Sequence, residues 1–176
     1  MRKIILTYGL IGGAVVALFM VCSTSLAHGG SFEHSMFLGY TGMLIANAFV
    51  FLGVKNYRDN QNDGVITFGK AFKIGMFISL IAATVYVGVW LVEYYCFMPD
   101  FMDKYASAMQ KTWQKENLPL AEIKAKTEEM KMYMELYKSP IWVILLTYME
   151  ILVPIGLLVP VISALILKRQ VKPAIN

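Results

Sequence analysis

Long apolar stretches alternate with short polar ones along this chain. Four apolar stretches stand out, over about 4–27, 36–54, 72–98 and 141–167. A helix rises about 1.5 Å per residue, so about 20 apolar residues cross a hydrocarbon core of about 30 Å. Met36 to Val54 just meets that length, while the third and fourth stretches exceed it and must tilt or protrude. The pattern predicts an all-α integral membrane protein, a single domain with four transmembrane helices.

The polar segment between the third and fourth stretches has a rhythm of its own. Met102, Tyr105, Met109 and Trp113 recur at helical spacing behind Asp100, a natural N-cap. Asn117 and Pro119 interrupt, and a second helix is expected to start with Asn117 or Leu118 near its cap. In it Leu120, Ile123, Thr127, Met130, Met134 and Tyr137 form a narrow apolar seam, flanked by Lys124–Glu128 and Lys131–Glu135 at i,i+4. These features predict an extracytoplasmic helical hairpin over about 100–138. Its seam suits packing of arm on arm, with a homo-oligomer contact or another membrane protein as the alternative occupant.

The start of the chain admits two readings. Arg2 and Lys3 before an apolar run, with Ser25-Leu26-Ala27 after it, resemble a cleavable signal peptide. The uninterrupted run Ile4–Cys22 is longer than the usual signal core of about 7–15 residues, which favours an uncleaved first span.

Composition agrees with the pattern: 57% of the 176 residues are apolar and 16% charged. The net charge of +4 forms no continuous basic face, so nucleic acid is not an expected partner and the lipid bilayer is. With the N-terminus inside, the cytoplasmic segments hold Arg2, Lys3, Lys55, Arg58, Lys70, Lys73, Lys168, Arg169 and Lys172, and the first outer loop holds neither Lys nor Arg. The second outer segment carries seven lysines against seven acids, which opposes this orientation. The short loops and both termini agree with one another, so a bacterial inner membrane with both termini cytoplasmic is expected. Lys55, Arg58, Lys70 and Lys73 then act as topology determinants and lipid headgroup contacts.

Residues able to carry chemistry are few. Glu93 and Glu150 are the acids inside the apolar stretches, and form a candidate ion or proton site. Counting about 20 residues inward from Ile74 and Leu167 reaches Glu93 and Tyr148, which puts both carboxylates near the outer boundary. Pro154 removes the donor for the Glu150 carbonyl, and Pro160 that for Gly156, so the fourth span is expected to kink. Asn47 suits an interhelical hydrogen bond, and Gly9–Gly13 and Gly42–Ala46 suit close helix contact. His28, Glu33 and His34 are weak metal candidates at a spacing that fits no structural-site pattern, and no histidine lies within a span to bind haem. Cys22 and Cys96 have no metal-type spacing; a disulfide between them is open, with two inert thiols favoured. Asp59 to Lys70 imitates a calcium loop, but Gln61 and Lys70 stand where acidic ligands are needed. Nucleotide-binding, hydrolase and zinc-helix motifs are absent, so neither an enzyme nor a bound cofactor is expected.

Several segments together resemble one family. YGLIGG in the first span, GYTGMLIANAFVFLGVKNYRD to ITFGKAFKIG, PDFMDKY, and ILVPIGLLVPVISALIL in the fourth are similar to the domain-of-unknown-function 4199 family. The resemblance covers nearly the full length and implies a small four-span bacterial membrane protein, seen mainly in Bacteroidota. It also implies that the first span is kept, and it brings no reaction or catalytic residue. The expectation is a non-enzymatic structural or interaction subunit of the cell envelope. The alternative is a small transporter or channel component using Glu93 and Glu150.

Overall fold

The structure, a computed structural model, describes residues 1–28 and 32–169, without the side chains of residues 26–28, 32–36, 39 and 40. The elements are α1 (Arg2–His28), α2 (Phe32–Gln61), α3 (Phe68–Val92), α4 (Phe101–Lys115), α5 (Leu120–Leu136), α6 (Pro140–Ile151) and α7 (Leu158–Leu167). A π-helical turn over Glu93–Phe97 continues α3, and another over Leu152–Gly156 joins α6 to α7. The described residues contain no β-strand; Ile66 and Arg169 exchange an isolated pair of backbone bonds.

Among the described residues, three helical stretches are long and apolar enough to cross a membrane: Arg2–Ser25, Phe68–Phe97 and Pro140–Leu167. They match the first, third and fourth expected stretches to within a few residues. The expected second span, 36–54, includes residues whose side chains lie outside the described set.

Two compact units make up the chain, Met1–Gly88 with Tyr148 onward, and Val89–Thr147. In the first, helix directions follow from close contacts. Gly42 meets Phe19, Gly12 meets Ala46 and Phe49, and Gly53 meets Tyr8, so α2 runs antiparallel to α1. A Cβ on Gly9 would sit 2.7 Å from that of Ile81, and one on Gly13 2.7 Å from that of Val85, so α1 and α3 run parallel. The Gly9–Gly13 pair therefore serves an internal contact with α3. The last span returns antiparallel along α3, with Arg169 bonded to Ile66, Pro160 against Gly75, and the Tyr148 hydroxyl 2.9 Å from that of Thr84.

The buried core of this unit lies toward one end. Ile4, Val54, Ile66, Ile74, Ile78 and Leu167 belong to one cluster there. Its branched aliphatics pack around the buried Tyr57 ring, as interiors filled to near-crystalline density do.

The two prolines behave differently. Pro154 falls inside the second π-helical turn, where a helix lacking one donor widens locally. Pro160 falls in the first turn of α7, where a backbone donor is not needed. The expected kink at Pro160 is thereby absorbed by the restart of the helix at Leu158.

Candidate functional site

Three regions collect the residues that can act. The first is the end of the bundle where Met1, Gln61, Ile66 and Arg169 meet. The Met1 ammonium donates to Gln61 Oε1 at 2.8 Å, and Ile66 and Arg169 exchange two 2.9 Å backbone bonds. Asp63 and Gly64 adopt left-handed φ of 50° and 73°, making a turn in which Gly64 fits without strain. Asn62 donates from Nδ2 to the Val65 carbonyl and accepts at Oδ1 from Lys70 Nζ at 2.9 Å. Lys70 also lies 5.0 Å from the centre of the buried Tyr57 ring. The residue that the calcium-loop pattern puts in the closing position is thus a cation pinning the loop.

Lys55 and Lys73 are exposed, and Arg58 donates from Nε to Asp59 at 2.6 Å. That hydrogen bond raises the Arg58 guanidinium further and holds the Asp59 carboxyl below its ordinary 3.8. The small contribution of the pair is present at neutral pH and lost as pH falls through the depressed Asp59 value. Lys70→Met removes one hydrogen bond and one cation–π contact. It should lower stability by about 1 kcal/mol, read as a fall in Tm of the purified protein in detergent.

The second region is an aromatic collar in the other unit. Trp90 packs edge-on against Phe101 at 4.9 Å, Phe101 stacks on Tyr105 at 6.0 Å, and Tyr94 meets Tyr137 at 5.6 Å. Glu93 opens the π-helical turn here and is only 8% exposed. The Met98 amide donates to its carbonyl at 2.9 Å, the i→i+5 bond that makes the turn wide.

Beyond the collar, α4 and α5 pack on each other, and neither contains a buried residue. Asp100 occupies the N-cap position of α4, but its carboxylate pairs with Lys104 at 2.7 Å and does not cap the helix. Pro119, rather than Asn117 or Leu118, precedes α5; Asn117 takes φ 53° in the turn. Ile123, Thr127, Met130, Met134 and Tyr137 are half-buried, whereas Leu120 is 86% exposed and leaves the seam. The expected Lys124–Glu128 and Lys131–Glu135 pairs are replaced by Lys126–Glu122, Lys131–Glu128 and Lys138–Glu135. Such exposed pairs contribute at most a few tenths of a kcal/mol each.

The third region is the middle of the first unit. A cavity of about 40 Å³ is lined by Val16, Ala46, Asn47, Ser79, Tyr86 and Ile155, among others. Ser79 Oγ is buried there without a hydrogen-bond partner among the described residues. Asn47 donates to the Met43 carbonyl at 2.6 Å, within its own helix instead of across to another. The space is large enough to hold a water molecule, which needs about 10–15 Å³ by this measure. Glu150 sits beside the cavity-lining Ile151 but is exposed. Glu93 and Glu150 thus occupy unlike surroundings in different units. Cys22 and Cys96 are free thiols, both exposed. The side chains of His28, Glu33 and His34 lie outside the described residues; elsewhere among those described, no cluster of three or more metal-ligating side chains occurs.

The sequence profile of a family described as "Protein of unknown function (DUF4199)" matches residues 7–169. The chain belongs to the DUF4199 family. The match takes in all of α2 to α7, so both units of this DUF4199 protein belong to the family pattern. No curated protein and no solved structure matches the chain.

The wide turn at Glu93–Phe97 had no signal in the DUF4199 sequence, because no proline marks it. The outward setting of Glu150 also depends on which face of the last span meets α3, which apolar periodicity alone leaves open in a helix apolar all round.

Proposed function

We propose that this is a four-span protein of the bacterial inner membrane, with both termini and the 62–67 loop in the cytoplasm. Its role on this reading is non-enzymatic: it is a structural or interaction subunit of the cell envelope that offers α4 and α5, as an outer hairpin, to another membrane protein. The observation that carries the topology is the meeting of Met1, Gln61, Ile66 and Arg169 at one end of the bundle. An even number of crossings returns a chain to its starting side, and that end also holds Lys70, Lys73 and Arg58, as the positive-inside rule requires. The antiparallel contact of α2 with α1, from Tyr8–Gly53 to Phe19–Gly42, supports α2 as the remaining crossing, because a helix sharing the length of a span shares its depth. The interaction role is supported by the absence of any buried residue in α4 and α5.

Single cysteines in a background with Cys22 and Cys96 replaced test the topology. An impermeant maleimide added to intact spheroplasts should label Lys115→Cys at once and Asp63→Cys only after the membrane is opened. The reverse order would overturn the orientation. For the interaction role, a photo-crosslinking residue at Tyr133 should give discrete protein adducts in native membranes; recovery of free monomer alone counts against it.

A second reading, a transporter or channel component, has Glu93 buried in a π-helical turn on its side. Intact flux and phenotype after Glu93→Gln with Glu150→Gln would end it.

A further inference from the structure

Glu150 belongs to a continuous outward stripe. Met149, Glu150, Val153, Pro154, Leu157 and Leu158 are all exposed, while Gly156 and Pro160 turn inward. Met149 and Val153, which flank the carboxylate, are 65% and 60% exposed. Glu150 makes no ion pair among the described residues, where every pair involves residues outside this stripe.

Its depth follows from the register of the last span on α3. Gly75 meets Pro160 and Thr84 meets Tyr148, so Glu150 lies about level with Ala82 and Ala83. That is about eight residues, roughly 12 Å, along α3 from Ile74, the first position past the inner Lys73. Half of a hydrocarbon core is about 15 Å. A count from Leu167 places the residue farther out, because the last span runs past Lys70 and Lys73 before Arg169 pairs with Ile66.

A carboxylate at that depth is costly and ordinarily faces the bundle interior or an opposite charge. Here the interior at this level holds a mainly apolar cavity, whose lining includes Ser79 and Asn47 but no cation, and Glu150 is exposed and not part of that lining. We infer that the outward face of the last span, centred on Glu150, docks a transmembrane helix of a different protein that carries a lysine or arginine near mid-membrane. Charge complementarity selects this occupant. A second copy of the chain packed on the same stripe brings carboxylate to carboxylate, and lipid offers no cation at that depth. The inference rests on the four-span reading and names the chemistry of the partner at a face separate from α4 and α5.

A hydrophobic carbodiimide, which modifies carboxyl groups inside membranes, tests it on the unaltered chain. Glu150 should be protected in native membranes and modified about tenfold faster or more once the protein is purified in detergent, where the ion pair is lost. Peptide mass spectrometry assigns the label, with Glu150→Gln as the blank. In parallel, a photo-crosslinking residue at Val153 should give an adduct in native membranes. Its partner peptide should hold Lys or Arg within about one helical turn of the link, and Glu150→Gln should reduce its yield about tenfold. Equal modification in membrane and detergent would overturn the inference, as would absence of modification in both. Protection that persists when the purified protein is reconstituted alone overturns it in favour of a second copy. Maleimide labelling at Asp63→Cys and Lys115→Cys does not depend on Glu150, so a wrong topology is told apart from a missing partner.

Discussion

Gly42→Val should abolish the normal α1–α2 contact and leave a protein that expresses poorly or unfolds early. Gly42 is buried, and a Cβ there would overlap the Cβ of Phe19, an atom one bond from the backbone that cannot swing aside. The two helices must separate, and overpacking of this kind typically costs about 1–3 kcal/mol. The loss extends along the interface, because the contacts of Gly12 with Ala46 and of Gly53 with Tyr8 depend on the same close approach. Thermal unfolding in detergent, followed by circular dichroism, should show a clear fall in Tm. Gly69→Val, with nothing within 4 Å of its Cβ, is the control that should change little beyond helix propensity. An unchanged Tm for Gly42→Val would mean that α1 and α2 do not approach as closely as described.

Trp90→Ala should have a comparable effect on the other unit. Trp90 is 8% exposed and holds Phe101 at 4.9 Å and Tyr94 at 5.9 Å, so it ties the end of α3 to the start of α4. Truncating a buried tryptophan costs about 3–5 kcal/mol where the site cannot collapse. Because α4 and α5 contain no buried residues, the collar is their main apolar anchorage within the unit. Limited proteolysis should therefore cut between Phe101 and Leu136 much faster in Trp90→Ala than in the parent, while residues 1–88 stay resistant. Trp90→Phe, which keeps an edge-to-face partner for Phe101, should recover most of the protection.

The features legible in the sequence were those set by chain-local physics. Apolar length marked the ends of α1, α3 and the last span, and the missing donor of Pro154 marked the break at Leu152–Gly156. The family was legible as well, because the segments that carry the resemblance lie along most of the matched length. Features that depend on which helix faces which were not legible. Gly9 and Gly13 announce a close contact but not that α3 receives it. Glu150 announces a cost but not whether it points in or out. The pairs on α4 and α5 went to other partners because a lysine on a helix reaches i−3 or i−4 carboxylates about equally well, and long side chains choose late. The π-helical turn at Glu93–Phe97 carries Tyr94, whose ring meets Tyr137 far along the chain, and a single sequence has no local marker for that contact.

The clasp between Ile66 and Arg169 bears on the order of assembly. Its two backbone bonds join positions that leave the ribosome far apart in time, and Pro160 reaches Gly75 only in the same event. Until α7 packs in place, Ile66 lacks its backbone partner and Gly75 on α3 lacks its contact with Pro160. Completion of the bundle is therefore signalled by α7, at the end where Ile66 and Arg169 meet. A nascent chain stalled before it would present to the quality-control machinery an open edge that the finished protein has closed.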